Sequence, residues 1–277
     1  MTADRNVTEG PLTHLLDVLD VAQVDRNTFR GLTAPESDRP VFGGQVAGQA
    51  LRAAAFTVAV DHQVNSLHAY FLRPGRYGLP ITYTVDRIRD GTSFTTRRVT
   101  ARQEGEAILN LDASFHRGEP GDEQGPMRSV EAVDPPERGE VPERPPWLRL
   151  RPVEMRSVSP PAGKARAVWI RAPGELPPDP AVHACVLTYF SDMGPVGVVA
   201  GWWAGVGRGD RMTASLDHCM WFHRPVRADE WVLYELERVV SANARGVAWG
   251  SIWTRSGDLA VTLVQEVLVR PLGKGRR

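Results

Sequence analysis

The sequence predicts an α+β fold built twice over. Three observations carry this reading. Two stretches roughly 150 residues apart resemble each other, a spacing that suits a duplicated domain and is too long for a solenoid unit. Each stretch offers one helix followed by long strands, and several of those strands alternate apolar and polar residues with period two. Such an order suggests, in each half, a helix wrapped by antiparallel sheet.

The repeat is read from "HAYFLRPGRYGLPITYTVDRI" and "SFTTRRVTARQEGEAILNLDASF" against "CMWFHRPVRADEWVLYELERV" and "NARGVAWGSIWTRSGDLAVTLVQEV". Aligning Arg73-Pro74 with Arg224-Pro225 also brings Asp86 opposite Glu237. One inserted residue later, Gly105 falls opposite Gly257.

Taken in order, "GGQVAGQALRAAAFTV" (43–58) predicts a helix whose Ala and Gly let a backbone sit close against a sheet. The strands "ITYTVDRI", "SFTTRRVTA" and "AILNLDASF" follow. In the last of these, Leu109, Leu111, Ala113 and Phe115 alternate with Asn110, Asp112 and Ser114. From about 117 to 180 the chain is dense in Pro, Gly and charge, as in "DPPERGEVPERPPW", and reads as a linker with little regular structure. "DPAVHACVLTYF" (179–190) is the second helix, with Asp179 as N-cap and Pro180 in the first turn. The strands "WVLYELERVV", "GVAWGSIWT" and "LAVTLVQEVLV" complete the second half. The expected organisation is 1–117 for the first repeat, 118–165 for a connecting segment and 166–277 for the second repeat.

Composition narrows the class. The chain is 42% hydrophobic and 24% charged, as soluble globular proteins are. Lys+Arg and Asp+Glu are both 33, so there is no net electrostatic footprint for nucleic acid or an anionic membrane. No run approaches the roughly 18 consecutive apolar residues of a membrane span, and the opening "MTADRNVTEGPLTHLLDVLD" lacks the basic-then-apolar pattern of a signal peptide. Cys185 and Cys219 form no CxxC pair and read as buried thiols of a reducing compartment. A cytoplasmic protein with no nucleic-acid partner and no membrane span is expected.

Common catalytic motifs are absent. There is no GxSxG elbow, P-loop, HExxH or dinucleotide GxGxxG, and the seven histidines show no metal-ligand spacing. The RGD triplet at 208–210 is a three-letter match in a Gly-rich loop and carries no weight. Neither nucleophilic-serine nor metal chemistry is supported.

Three polar positions remain. Along "LAVTLVQEVLV", Gln265 shares a strand face with Leu259, Val261, Leu263, Val267 and Val269. Burying an amide without partners costs on the order of 1–3 kcal/mol, so something polar must face it. A structural amide bonded to backbone is one reading. The matching position in the first repeat is Ala113, so the fold itself requires no amide there, and that favours a functional one. Asp192 follows the apolar helix, at the end of the helix dipole that disfavours a carboxylate. A solvated turn aspartate before Gly194 is the alternative. Ser215 lies in "MTASLDHCMWFHRP", where alternation groups it with Thr213 and Asp217; a strand hydroxyl is commonly structural.

The segments "VFGGQVAGQAL" (41–51), "HAYFLRPG" (68–75), "RDGTSFTTRRV" (89–99), "YFSD" (189–192), "SLDHCMWFHRP" (215–225), "ANARG" (242–246) and "VQE" (264–266) resemble the acyl-CoA thioesterase II family. The lead-in "LLDVLDVAQVDRNTFRG" (15–31) is similar as well, and "FGGQ" with "DHxMWFHRP" is the specific part of the match. The resemblance implies a double hot-dog fold: two tandem hot-dog repeats, each a central helix wrapped by an antiparallel sheet. It implies hydrolysis of acyl-CoA to free fatty acid and CoA by an Asp, a Thr or Ser, and a Gln in the second hot dog. Carried over by motif, these are Asp192, Ser215 and Gln265. Asp192 would then be general base on a water that Ser215 and Gln265 position. The resemblance further suggests His68, Gly43 and Gly44 as substrate-binding positions, a structural imidazole being the alternative for His68; a thioester carbonyl also needs oxyanion donors, for which backbone N–H groups beside the central helix are natural, without the sequence singling any out.

No cofactor is implied, since CoA is part of the substrate, and the expected partner is acyl-CoA together with further copies of the chain through the hot-dog sheets. Trp202, Trp203, Trp221, Trp249 and Trp253 would line or block an acyl tunnel, or else belong to core and interface. Two rivals stand beside this reading: an enoyl-CoA hydratase, disfavoured because only the adjacent pairs Asp61-His62 and Asp217-His218 occur, and a non-catalytic acyl-CoA-binding module, which has no need of all three polar residues.

Overall fold

The computed structural model describes residues 10–34, 39–126, 134–142, 151–202 and 211–272. The triplet at 208–210 and Trp203 lie outside the described residues. The first repeat runs α1 (Pro11–Leu19), β1 (Val21–Asp25), β2 (Thr28–Gly31), α2 (Gly43–Ala55), β3 (His62–Phe71), β4 (Ile81–Asp90), β5 (Phe94–Gln103) and β6 (Glu106–Arg117). The second runs β7 (Glu154–Val158), β8 (Arg166–Arg171), α3 (Pro180–Ser191), α4 (Pro195–Ala200), β9 (Arg211–Ser215), β10 (Asp217–Phe222), β11 (Val232–Ala242), β12 (Arg245–Trp253) and β13 (Leu259–Pro271).

The strands form a single 13-stranded antiparallel sheet in the order β1-β2-β4-β5-β6-β3-β10-β13-β12-β11-β8-β7, with β9 alongside β13. Read from its centre, the order is the same in both directions once repeat counterparts are matched. The centre is the β3–β10 pair, where His68 faces Cys219 and Ala69 faces His218. His68 and Cys219 are counterparts in the repeat, so a pseudo-two-fold passes between them. The left-handed glycines Gly105 (φ 85°) and Gly257 (φ 94°) sit in corresponding turns, just before the second strand of a hairpin in one repeat and within the turn in the other.

The β7–β8 hairpin corrects the sequence reading of 117–180 as a linker. It is the counterpart of β1–β2, and β7 lies inside the span 118–165. A boundary at 165/166 would separate two hydrogen-bonded strands, so the second repeat begins with β7. "EMRSV" is too short and polar to announce a strand; pairing with β8 and burial of Met155 on one face give it order.

The two central helices lie antiparallel against each other inside the sheet. A Cβ on Gly44 would come within 2.6 Å of the Tyr189 carbonyl oxygen, and one on Gly48 within 3.2 Å of the Cys185 carbonyl oxygen. At the far end Arg52 pairs with Asp179 at 3.0 Å. The small residues of α2, spaced i and i+4 on one face, therefore serve the approach of the other helix as much as that of the sheet. One core cluster runs through both repeats, from Leu15 and Phe29 to Phe190 and Leu263, and binds them into one body. Pro180–Ala200 is long and apolar enough to match a membrane span by length and composition, but 94% of that window is buried inside the fold, as core helices are.

Candidate active site

The site begins on β13. Val261, Leu263, Gln265 and Val267 all have no exposed surface and face the helices, as period-two alternation requires. Beside β13 runs the bulged strand formed by β9 and β10. Ser215 faces Val267 while Cys219 faces Val264, so one extra residue is inserted between them. Such a bulge reverses the parity of the side chains beyond it. Ser215 and His218 consequently both turn inward, on either side of Gln265. Asp217 turns away and its carboxylate accepts the Glu266 N–H at 2.7 Å, filling the gap in the ladder. Grouping Ser215 with Asp217 by strict alternation is thereby corrected. The same bulge recurs in the first repeat, where Val64 faces Phe115 and Ser66 faces Ser114.

Asp192 caps the carboxyl end of α3. The dipole of its own helix disfavours it there, but the neighbouring helix compensates. Its Oδ2 accepts the Gly44 N–H of the first turn of α2 at 2.8 Å, where the positive end of that helix favours an anion. A Cβ on Gly43 would stand 2.9 Å from Asp192 Oδ2 and 2.8 Å from the Phe71 ring. Both glycines are thus explained by close approach.

Around Asp192 the polar groups form one chain. Gln265 Nε2 donates to Asp192 Oδ1 at 3.0 Å and to Ser215 Oγ at 2.7 Å, and Ser215 Oγ donates to Asp192 Oδ1 at 3.3 Å. A carboxylate only accepts, so the amide nitrogen of Gln265 must face it and the amide oxygen must face His218. His218 Nδ1 therefore donates to Gln265 Oε1 at 2.7 Å, and its Nε2 lies 2.7 Å from Ser191 Oγ, which also reaches the Thr188 carbonyl oxygen at 2.8 Å. The Tyr234 hydroxyl donates to the Ser191 carbonyl.

Burial raises the Asp192 carboxyl above the usual carboxylate range, opposed by the field of His218 and by the hydrogen bonds from Gln265 and Gly44. Burial lowers the His218 imidazole, opposed by Asp192 and Gln265. Asp192 is 9% exposed and Gln265 fully buried, while Ser215 is half-buried. Ser215 thus marks the accessible side of the cluster.

The structure brings Asp192, Ser215 and Gln265 together and excludes His68. Alternation on β3 puts Leu67 and Ala69 inward and His68 outward, where its ring meets Trp221 edge-on at 5.3 Å on the outer face of the sheet. Trp249 is exposed on that outer face, and Trp253 packs near Trp169 and Leu233 in a separate small cluster. None of these three tryptophans lines the space beside Asp192. Gly44, expected as a substrate-binding position, has its N–H engaged by Asp192.

Nothing local in the sequence singles out His218 or Ser191. Strict alternation from Ser215 hides His218 on the outer face, because a bulge leaves no mark in composition. The repeat holds the missing signal: the counterpart of His218 is Leu67, as that of Gln265 is Ala113, and Leu67 pairs with Ala113. A polar pair in the second repeat replaces an apolar pair in the first.

The two repeats, each a central helix wrapped by antiparallel sheet, define a double hot-dog fold, and comparison with known proteins gives its class, the thioester hydrolases. Residues 149–268 match the family model described as acyl-CoA thioesterase, and residues 34–116 match that of its N-terminal domain. The chain is 38% identical to acyl-coenzyme A thioesterase 8 of Mus musculus, over 97% of this chain and 93% of that protein. It is 33% identical to acyl-CoA thioesterase 2 of Haemophilus influenzae, over 94% and 98%. It superposes on the acyl-CoA thioesterase II TesB2 of Mycobacterium marinum with a TM-score of 0.83 at 37% identity, covering 94% and 99% of the two chains. The chain belongs to the acyl-CoA thioesterase family. It is an enzyme that hydrolyses thioesters, which sets aside the hydratase and the non-catalytic module.

Proposed function

We propose that this protein hydrolyses acyl-CoA thioesters to free fatty acid and CoA, using a water activated by Asp192 and positioned by Ser215 and Gln265. The observation that carries this reading is the convergence on Asp192 Oδ1 of Gln265 Nε2 at 3.0 Å and Ser215 Oγ at 3.3 Å, with Oδ2 pinned by Gly44. The relatives named above are acyl-CoA thioesterases, which supports the substrate class.

In this reading a water enters beside the half-buried Ser215 and displaces the long Ser215–Asp192 contact. Its oxygen attacks the thioester carbonyl carbon while Asp192 takes its proton. Collapse of the tetrahedral intermediate breaks the C–S bond, and the proton passes from Asp192 to the departing thiolate. A carboxylate held above its ordinary range is the stronger base for this task. Gln265 holds Asp192 and Ser215 in register with both amide hydrogens, and His218 fixes the amide by occupying its oxygen. His218 is a positioning residue, since it touches Gln265 and not the reacting atoms.

Release of free thiol from acyl-CoA by wild type and by Asp192→Asn tests the assignment. Activity within a few-fold of wild type in the variant would remove Asp192 as base. The outer sheet face carries Tyr70 and Trp249, both exposed, beside His68 and Trp221. These apolar groups support association of chains through their sheets, which light scattering on the purified protein would detect as a mass above one chain.

A further inference from the structure

Alternation on β3 turns Leu67, Ala69 and Phe71 inward, so the last residue of that strand points at the helix pair. Phe71 belongs to the first repeat, whereas Asp192, Ser215 and Gln265 belong to the second. A Cβ on Gly43 would lie 2.8 Å from the Phe71 ring and 2.9 Å from Asp192 Oδ2, so ring and carboxylate are neighbours at the first turn of α2. The Phe71 N–H donates to the Leu216 carbonyl at 2.9 Å, one residue beyond Ser215. Phe71 and Ser215 therefore flank Asp192, with Ser215 at Oδ1 and the ring on the side of Oδ2. Both are only partly buried, while Asp192 and Gln265 are buried. The proposed base is thus approached between a hydroxyl and an aromatic ring.

The repeat shows that this position faces open space. Phe222 is the counterpart of Phe71, since each stands two residues before its Arg-Pro pair. It lies at the amino end of α3 as Phe71 lies at that of α2, and with Pro178, Asp179 and Pro180 it lines a cavity of about 1220 Å³. Both phenylalanines pack on the core with part of their surface uncovered. What differs is the carboxylate nearby. Asp192 is held at the opening by Gly44, whereas Asp179 caps its own helix through the Ala181 N–H at 2.9 Å and pairs with Arg52 at 3.0 Å.

The chemistry of a thioester decides what meets the Phe71 ring. Its carbonyl carbon has to reach a water beside Ser215 and Asp192, which brings one flank of the thioester against the ring. On the thiol side of CoA an amide stands two carbons from the sulfur, and a phenyl ring offers it no hydrogen-bond partner. On the acyl side the first carbons are hydrocarbon, which an aromatic face suits. The ring has no room to retreat, because Gly43 lies against it and the bond to Leu216 fixes its backbone.

We propose that Phe71 is a specificity-determining residue: its ring is the wall for the acyl carbons next to the thioester, and its bulk disfavours a branch on the carbon beside the carbonyl. The proposal rests on the reading of Asp192 as the base that hydrolyses acyl-CoA.

Steady-state thiol release from a straight-chain acyl-CoA and from its 2-methyl derivative tests it, read as the ratio of the two kcat/KM values. Wild type should favour the straight chain by about 10-fold or more. Phe71→Ala should bring the ratio below about threefold, with Phe71→Leu between the two. Phe222→Ala removes the same ring from the counterpart position and should keep the wild-type ratio, which separates a lost wall from a loosened fold. If Phe71→Ala does not fold, Phe71→Leu against Phe222→Leu carries the comparison. A wild type without preference, or a ratio unchanged in the Phe71 variants, would overturn the proposal and leave hydrolysis standing. So would an equal loss of preference in the Phe222 variants. An effect of Phe71→Ala that appears instead in the ratio between CoA and N-acetylcysteamine thioesters of one acid would put the ring on the thiol side and overturn the acyl assignment. Absence of thiol release from every acyl-CoA by wild type would strike the hydrolytic reading instead.

Discussion

Asp192 closes one central helix and accepts, at 2.8 Å, the Gly44 N–H that opens the other. The carboxylate proposed as the base is therefore a joint between the two repeats. Gly44 has to be glycine because a Cβ there would meet the Tyr189 carbonyl at 2.6 Å, and a helix backbone cannot yield as a flexible side chain can. Gly44→Ala should destabilise the fold by about 1–3 kcal/mol in urea unfolding and also lower kcat, because the carboxylate moves with the helix. Gly48→Ala, whose Cβ would lie 3.2 Å from the Cys185 carbonyl, should cost less stability and leave kcat nearly unchanged. Equal losses of kcat in the two variants would show that Gly44 has no special tie to Asp192.

In the proposed site His218 acts through Gln265, whose amide oxygen it contacts at 2.7 Å. Replacing it with leucine, the residue its counterpart Leu67 already is, frees the amide oxygen of Gln265 and with it the orientation of the amide. His218→Leu should lower kcat by roughly tenfold with little change in KM, the pattern of a lost transition-state arrangement. Combined with Gln265→Ala, its effect should largely vanish, since coupled residues are not additive. Full additivity in that double-mutant cycle would break the proposed link.

Ser215 supplies a hydroxyl that accepts from Gln265 and donates to Asp192. Ser215→Thr keeps the hydroxyl and should retain kcat/KM within a few-fold. Ser215→Ala leaves a Gln265 hydrogen unpaired and should lose about 10-fold or more, in line with removal of a buried charged-group partner. Steady-state thiol release reads both; equal activity in the two variants would make Ser215 structural only.

The pH dependence follows from burial of Asp192, which raises its pKa. A raised value means that the folded protein takes up this proton at a higher pH than a free aspartate does, near 3.9. The ionised base, and kcat/KM with it, should therefore be lost on acidification at a pH above that value. For stability the sign is opposite: this group favours the fold at low pH and loses that contribution as pH rises through its folded pKa. His218, whose pKa is lowered, stabilises the fold above about 6.5 and loses that contribution as pH falls towards its folded value. A pH–kcat/KM profile whose acid limb lies at or below about 4 would contradict the buried base.

Much of the fold is legible in particular residues. Leu109 to Phe115 alternate as written, Asp179 caps α3 as expected, and the pairing of Gln265 with Ala113 across the repeat singles out the polar position. What the sequence conceals is local and non-periodic. The bulge between Ser215 and His218 flips side-chain parity without any compositional sign. The β7–β8 hairpin hides among prolines because its order comes from pairing. The Gly44–Asp192 bond joins residues 148 apart in the chain, and no local pattern reports a helix capped by its neighbour.

Asp192 as the base is the claim on which the rest depends. Thiol release from a series of acyl-CoA esters of increasing chain length, followed with a disulfide reagent, tests it in wild type and Asp192→Asn side by side. Burial pushes the protein's own Cys185 up to about 12 and Cys219 up to about 11, so both thiols stay protonated and the reagent reads released CoA. Wild type should release stoichiometric thiol, and the variant should be slower in kcat by about 10²–10⁴-fold at similar KM. Turnover by Asp192→Asn within a few-fold of wild type would contradict the account.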